Sequence, residues 1–283
     1  MRRGSLRMLV ALPVFALLAA ACGGGSGSSQ ASGSSPSESM MPSTGAMMMP
    51  PYAKRMHVAI TSPASGTTVT SNSLTLGVST SGYSDSCEMA GKPNMPGFGH
   101  YHVLLDKALV DMFCTPQANI SMQNVTPGAH TLEVVPALDD HAEVMENATS
   151  IKIDYKPINP LPEISGAQSS AKPSITILSP KPGQTVSGSF DVAVRISNFH
   201  PSCSLMGKPD VPDYGHWHVN LDSTGGPMMG MGTMMGMSCS NVFHASTQGL
   251  KAGQTHTIIA LLTDDGHAPL MPAIEDSVTV HIG

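Results

Sequence analysis

The sequence predicts an all-β chain: two tandem immunoglobulin-like β-sandwich domains after a disordered tether. Three observations carry this prediction. The chain repeats itself, each motif of residues 56–155 having a counterpart in residues 174–283. Within each copy, short runs of β-branched and alternating apolar residues are bounded by Pro-Gly, Ser-Gly and Asp-Asp punctuation, as strands of a sandwich are. No long stretch of period 3.6 competes with them. The length of 283 residues suits two domains, and Gly and Pro, 28 and 23 in number, stay below the share that marks a wholly disordered chain.

In chain order, residues 1–22 read as a secretory signal: Arg2, Arg3 and Arg7 precede an apolar run from Met8 to Leu18. That run is too short to span a bilayer. Its ending, Ala19-Ala20-Ala21-Cys22, resembles a bacterial lipobox. The resemblance implies cleavage before Cys22, lipidation of its thiol and a membrane-anchored, extracytoplasmic protein, on the outer face of a cell or in a periplasm. Residues 23–55 are rich in Gly, Ser and Met and nearly free of charge until their end, a composition that cannot bury enough apolar surface to offset chain entropy.

The repeat follows. VAITSPASGTTV (58–69) matches ITILSPKPGQTV (175–186), and CEMAGKPNMPGFGHYHVLLD (87–106) matches CSLMGKPDVPDYGHWHVNLD (203–222), both without a gap. Strands are expected at Val58–Thr61, Leu74–Ser79, His100–Asp106, Leu109–Phe113, His130–Val135 and Ser150–Tyr155. Residues 156–173 form a Pro/Ser-rich linker, so that the repeats read as two beads on a string.

Of the five cysteines, Cys22 is taken by the anchor. Four cysteines allow three pairings, of which Cys87–Cys114 and Cys203–Cys239, each closing a loop inside one copy, are favoured. An exported chain permits them, and each would contribute about 3–4 kcal/mol. The competing reading is four metal-binding thiolates.

Eight of the 12 histidines fall at four repeated positions. His100 and His102, and their copies His216 and His218, stand at i and i+2 of a strand and so share a face. Tyr101, Val103 and Leu105, or Trp217, Val219 and Leu221, take the other face, which reads as the core. Adjacent imidazoles on an outer face form a pair of first-row metal ligands, His141 and His267 supplying a third if their acidic turn folds over the strand. The bland alternative is hydrogen bonding to a neighbouring loop such as the G-K-P segment. His130 and His256 open a strand and read as structural.

The ordered motifs G-H-x-H-V-x-L-D, P-G-x-H-T-L and D-x-H-A resemble an uncharacterised family of secreted bacterial β-domains. The likeness spans most of each copy and implies a secreted β-rich domain without an assigned activity. The cysteines and the G-K-P segment depart from that family's pattern.

Methionine is the remaining excess, 21 residues in all. Met40, Met41, Met47, Met48 and Met49 cluster in the tether, and Met228, Met229, Met231, Met234, Met235 and Met237 in a Gly-rich insert. Without strand or helix periodicity, these segments read as flexible arms whose thioethers suit Cu(I), or else as neutral low-complexity drift or a sacrificial pool oxidised to sulfoxide. A net charge of −6 argues against nucleic acid as a partner. No Ser–His–Asp order, catalytic carboxylate pair or phosphate loop points to an enzyme. The expected function is a lipid-anchored extracytoplasmic binding protein that sequesters or hands over a metal, copper in particular. The alternative is a structural or adhesive cell-surface module that binds no metal and whose partner is another surface molecule.

Overall fold

The computed structural model describes residues 49–166, 170–225 and 227–283, without the side chains of 227–229. The signal segment, Cys22, most of the tether with Met40, Met41, Met47 and Met48, and the side chains of Met228 and Met229 therefore lie outside the described residues.

The first repeat is built from β1 (His57–Ser62), β2 (Thr67–Val69), β3 (Ser73–Ser81), β4 (Ser84–Asp85), β5 (Phe98–Leu105), β6 (Ala108–Phe113), β7 (Gln117–Ser121), β8 (Gly128–Ala137) and β9 (Thr149–Tyr155). The three strands β1-β3-β7 form one sheet. The other runs β2-β9-β8-β5, with β4 and β6 both on the free edge of β5. The chain changes sheets between β1 and β2, where S-P-x-x-G breaks the strand and Gly66 takes a φ of +87°, which glycine adopts at no steric cost. β2 then runs parallel to β9. This order is that of an immunoglobulin-like sandwich.

The second repeat reproduces it strand for strand: β10 (Ser174–Ser179), β11 (Gln184–Val186), β12 (Ser189–Ser197), β13 (His200–Pro201), β14 (Tyr214–Leu221), β15 (Met234–Ser238), β16 (Val242–Ser246), β17 (Thr255–Thr263) and β18 (Glu275–Ile282). Its sheets are β10-β12-β16 and β11-β18-β17-β14, with β13 and β15 on β14. All six expected strands form in the first repeat; β2, β4 and β7 are additional, two of them too short to show alternation.

The alternation on β5 sorts the side chains as the sequence indicates. Tyr101, Val103 and Leu105 enter the first core with Leu76, Val78, Ile120, Leu132, Val134 and Ile153. Trp217, Val219 and Leu221 enter the second with Val192, Val194, Ile258, Ala260 and Val280. Disulfides Cys87–Cys114 and Cys203–Cys239 close within their own repeats, which removes the reading of four metal-binding thiolates.

One expectation is corrected, and one point the sequence leaves open is closed. The repeats, whose contact the sequence does not specify, do not stand apart: the 3-10 turn Cys87–Met89 of the first packs on β15 and β16, and the equivalent turn Cys203–Leu205 of the second packs on β7. The Lys92 ammonium, at the centre of the first G-K-P, donates to the Ser246 carbonyl across this contact (2.8 Å). Nor is the methionine insert a flexible arm. Residues 227–233 form a 3-10 helix and 234–238 form β15, which pairs with β14 as β6 pairs with β5. Met231, Met234 and Met235 are buried, and a strand covered on both faces shows no polar alternation to read.

Candidate metal centre

His100 and His102 leave β5 on the face away from the core, as do His216 and His218 from β14. That face is nonetheless dry: the four are at most 2 % exposed, because the other repeat covers it. The outer-face expectation is thus right about direction and wrong about solvent.

The third histidine comes from the turn after β8. Backbone bonds from His141 N to Leu138 O (2.9 Å) and, in the copy, His267 N to Asp264 O (3.2 Å) close the turn. His141 and His267 take φ of +63° and +70°, a left-handed conformation uncommon outside glycine that persists where surrounding structure enforces it. The G-K-P segment supplies the enforcement. Gly91 N donates to Asp139 O (2.7 Å) and Met95 N to the Asp139 carboxylate (2.8 Å); Gly207 N and Val211 N treat Asp265 likewise at 2.8 and 3.0 Å. G-K-P therefore bonds the acidic turn rather than the H-x-H pair. Burial raises the Asp139 and Asp265 carboxyls to about 6 and about 7.

The result is a triangle of nitrogens. His100 Nε2 lies 3.1 Å from His102 Nε2 and 3.1 Å from His141 Nδ1, and the last two are 3.2 Å apart. Their outer nitrogens fix which atom carries the proton. His102 Nδ1 donates to the Glu143 carboxylate at 2.7 Å and His141 Nε2 to the Met234 carbonyl at 2.7 Å, acceptors that leave both inner nitrogens with bare lone pairs. His100 Nδ1 has no hydrogen-bond partner among the described residues. With its proton on Nε2, His100 can satisfy one of the two facing lone pairs; with it on Nδ1, three lone pairs converge and a buried N–H stays unbonded. Neither neutral arrangement closes the hydrogen-bond account, and a cation among the three nitrogens removes the lone-pair conflict. Around a tetrahedral ion at about 2.0–2.1 Å, neighbouring nitrogens stand roughly 3.3 Å apart, within a few tenths of an ångström of this triangle. The donor set fits a first-row divalent metal.

The second repeat assembles the same set. His216 Nε2 lies 3.0 Å from His218 Nε2 and 2.9 Å from His267 Nδ1, all three donor atoms falling within 4.8 Å of one another. His267 Nε2 donates to the Leu109 carbonyl at 2.9 Å, and among the described residues His216 Nδ1, like His100 Nδ1, finds no hydrogen-bond partner. The sites are not identical: the place of Glu143, bridged to Ala137, is taken by Pro269, bridged to Thr263, and Leu104 beside His102 is replaced by Asn220 beside His218, whose amide donates to the Gly230 carbonyl at 2.9 Å. Among the described residues these are the two clusters of three or more His, Cys, Asp or Glu donors close enough to share an ion.

Burial, and secondarily the neighbouring imidazoles, hold His100, His216 and His218 well below the ordinary histidine range. His141 falls to about 3, through burial and then His102; His267 falls to about 4, mainly through burial. His141 also acts on His218, and His102 on His267, so each triad lies within the electrostatic reach of the other.

Other expected residues sort by position. His130 and His256 are structural: each ring bonds the aspartate that ends the H-x-H strand, Asp106 at 2.6 Å and Asp222 at 2.7 Å, and His130 also bonds Thr126 O of its own turn. Of the insert methionines, Met237 is the cross-strand partner of His218, and Met112, which the sequence reading passed over, is that of His102. Direct partners share a sheet face, so Met112 and Met237 stand on the histidine side of their sheets. Glu143 was also passed over; its signal was a carboxylate two residues after a repeated histidine. The Met234 and Leu109 acceptors are main-chain atoms and leave no trace in sequence.

No protein-family model matches the chain, and no curated protein matches it. Similar solved structures are fibronectin(III)-like modules of Clostridium thermocellum CbhA (15 % identity, 80 % of this chain and 93 % of that one, TM-score 0.25). Others are the bacteriophage RB49 Highly Immunogenic Outer Capsid protein (13 %, 81 % and 69 %, TM-score 0.23) and the FN1–FN3 domains of chicken CNTN1 (10 %, 79 % and 68 %, TM-score 0.23). At such TM-scores the fold assignment rests on strand order: the chain is a tandem pair of immunoglobulin-like sandwiches, each carrying a buried histidine triad.

Proposed function

We propose that this chain is a lipid-anchored extracytoplasmic protein that binds copper at its two histidine triads and sequesters it or hands it on without turnover. The observation that carries the reading is the aim of the lone pairs: outer hydrogen bonds turn the ring nitrogens of His102 and His141 toward one point beside His100. Histidine ligands are oriented in this way by their outer partners in metal sites. Imidazole suits zinc and copper alike; the methionines paired across the strand from His102 and His218 favour copper, whose monovalent form takes sulfur donors. Anchoring through Cys22 is in keeping with two disulfides, which belong to oxidising compartments. No helix among the described residues is long and apolar enough to cross a membrane.

Titrating the full mature chain with Cu(I), Cu(II) and Zn(II) tests this. Two copper ions should bind per chain, one being lost in His100→Ala/His102→Ala and the other in His216→Ala/His218→Ala. Binding no tighter than micromolar, or affinities indifferent to these substitutions, leaves the structural surface module as the reading. Uptake of zinc with no uptake of copper overturns the choice of metal.

A further inference from the structure

We propose that each histidine site is completed by the other repeat, so that ion binding and the docking of the two sandwiches are a single linked equilibrium. The inference rests on the metal reading above and adds what controls it. His141 belongs to the first repeat, but the carbonyl that fixes its tautomer belongs to Met234 of the second. His267 belongs to the second, and its carbonyl to Leu109 of the first. The two acceptors are equivalent: Leu109 pairs with Leu104 and Met234 with Asn220, in both cases just beyond an irregularity in the strand register.

The approach that brings these carbonyls in is backbone on backbone. A Cβ at Gly91 would stand 2.4 Å from the Met234 carbonyl carbon, and one at Gly207 would stand 2.6 Å from the Leu109 oxygen. Both glycines belong to the G-K-P segments that hold the acidic turns, so one short motif positions the third histidine and admits the partner strand. An ion on Nδ1 draws charge from the ring and makes Nε2–H a stronger donor, which tightens a bond that crosses the contact. Undocking removes the carbonyl and frees the ring to place its proton on Nδ1, where it blocks the ligand atom. Linkage of this kind is reciprocal: the factor by which docking raises ion affinity is the factor by which the ion raises docking affinity.

The test uses the whole mature chain with a protease site placed in the linker 156–173, cut after folding. Association of the nicked halves is measured by concentration-dependent gel filtration with Cu(II) and with a chelator, and should be at least tenfold tighter with Cu(II), the usual scale for an outer ligand partner. Alongside it, uncut Gly91→Ala should weaken Cu(II) binding at the first triad, and Gly207→Ala at the second, by roughly 10–100-fold. If the glycine variants do not fold, the nicked chain decides alone. Halves that associate equally with and without Cu(II), in a chain that binds two ions, overturn the linkage and leave the metal reading standing. A chain that binds no ion overturns both.

Discussion

Acidification is expected to leave copper affinity at the second triad almost unchanged where an exposed three-histidine site would lose it. An unperturbed imidazole near pKa 6.5 passes from about nine-tenths to about one-tenth unprotonated between roughly pH 7.5 and 5.5. Each such ligand costs about tenfold in apparent affinity, and three cost about a thousandfold. In this site burial holds His267 down to about 4, with His216 and His218 pushed well below the ordinary range by burial and by His267. A depressed value means that protons compete only once the pH falls through it, so lone pairs stay available throughout this window and the expected loss is less than about twofold. The assay is competition against a chromophoric chelator, corrected for the chelator's own protonation, in His100→Ala/His102→Ala so that the second triad reports alone. A loss near a thousandfold would refute the reasoning, because it would mean that the imidazoles titrate as solvated groups. Folding stability is a poorer readout. Depressed histidines lose stability as pH falls below about 6.5, since the unfolded chain takes up protons first. Asp111 and Asp265, both raised to about 7, act in the opposite sense over the same range.

Replacing Glu143 by Gln should weaken Cu(II) binding at the first triad by roughly 10–100-fold, since the carboxylate bonded to His102 at 2.7 Å fixes the ring's tautomer and orientation. The second triad, titrated in the same sample, should not change; equal weakening of both would show that the effect is not local. Cys203→Ala/Cys239→Ala opens a loop of 36 residues, whose closure constrains the unfolded chain by about 4 kcal/mol. A urea midpoint corresponding to a loss under about 1 kcal/mol would place the stabilisation elsewhere.

The sandwich was legible because alternation on β5 and β14 separates histidines from core residues, and because duplication marked each boundary twice. The triads were legible for the same reason: His141 and His267 stood out by recurring after equivalent acidic turns. The burial of that histidine face was not, since it arises from a second repeat packing on the first, and the atoms responsible are the carbonyls of Met234 and Leu109. The methionine insert misled in a related way. Gly-rich low complexity describes a tether as well as it describes residues 234–238, which complete a sheet edge already specified by β14.

The exchange of Glu143 for Pro269 breaks the symmetry of the duplication directly beside the ligands. For a chain that holds two ions, sites that differ in such a partner fill in sequence rather than together. The consequence is buffering. As the stronger site saturates, the weaker begins to take up ions, and every tenfold separation between them adds a decade to the range of free copper that a single chain can hold in check.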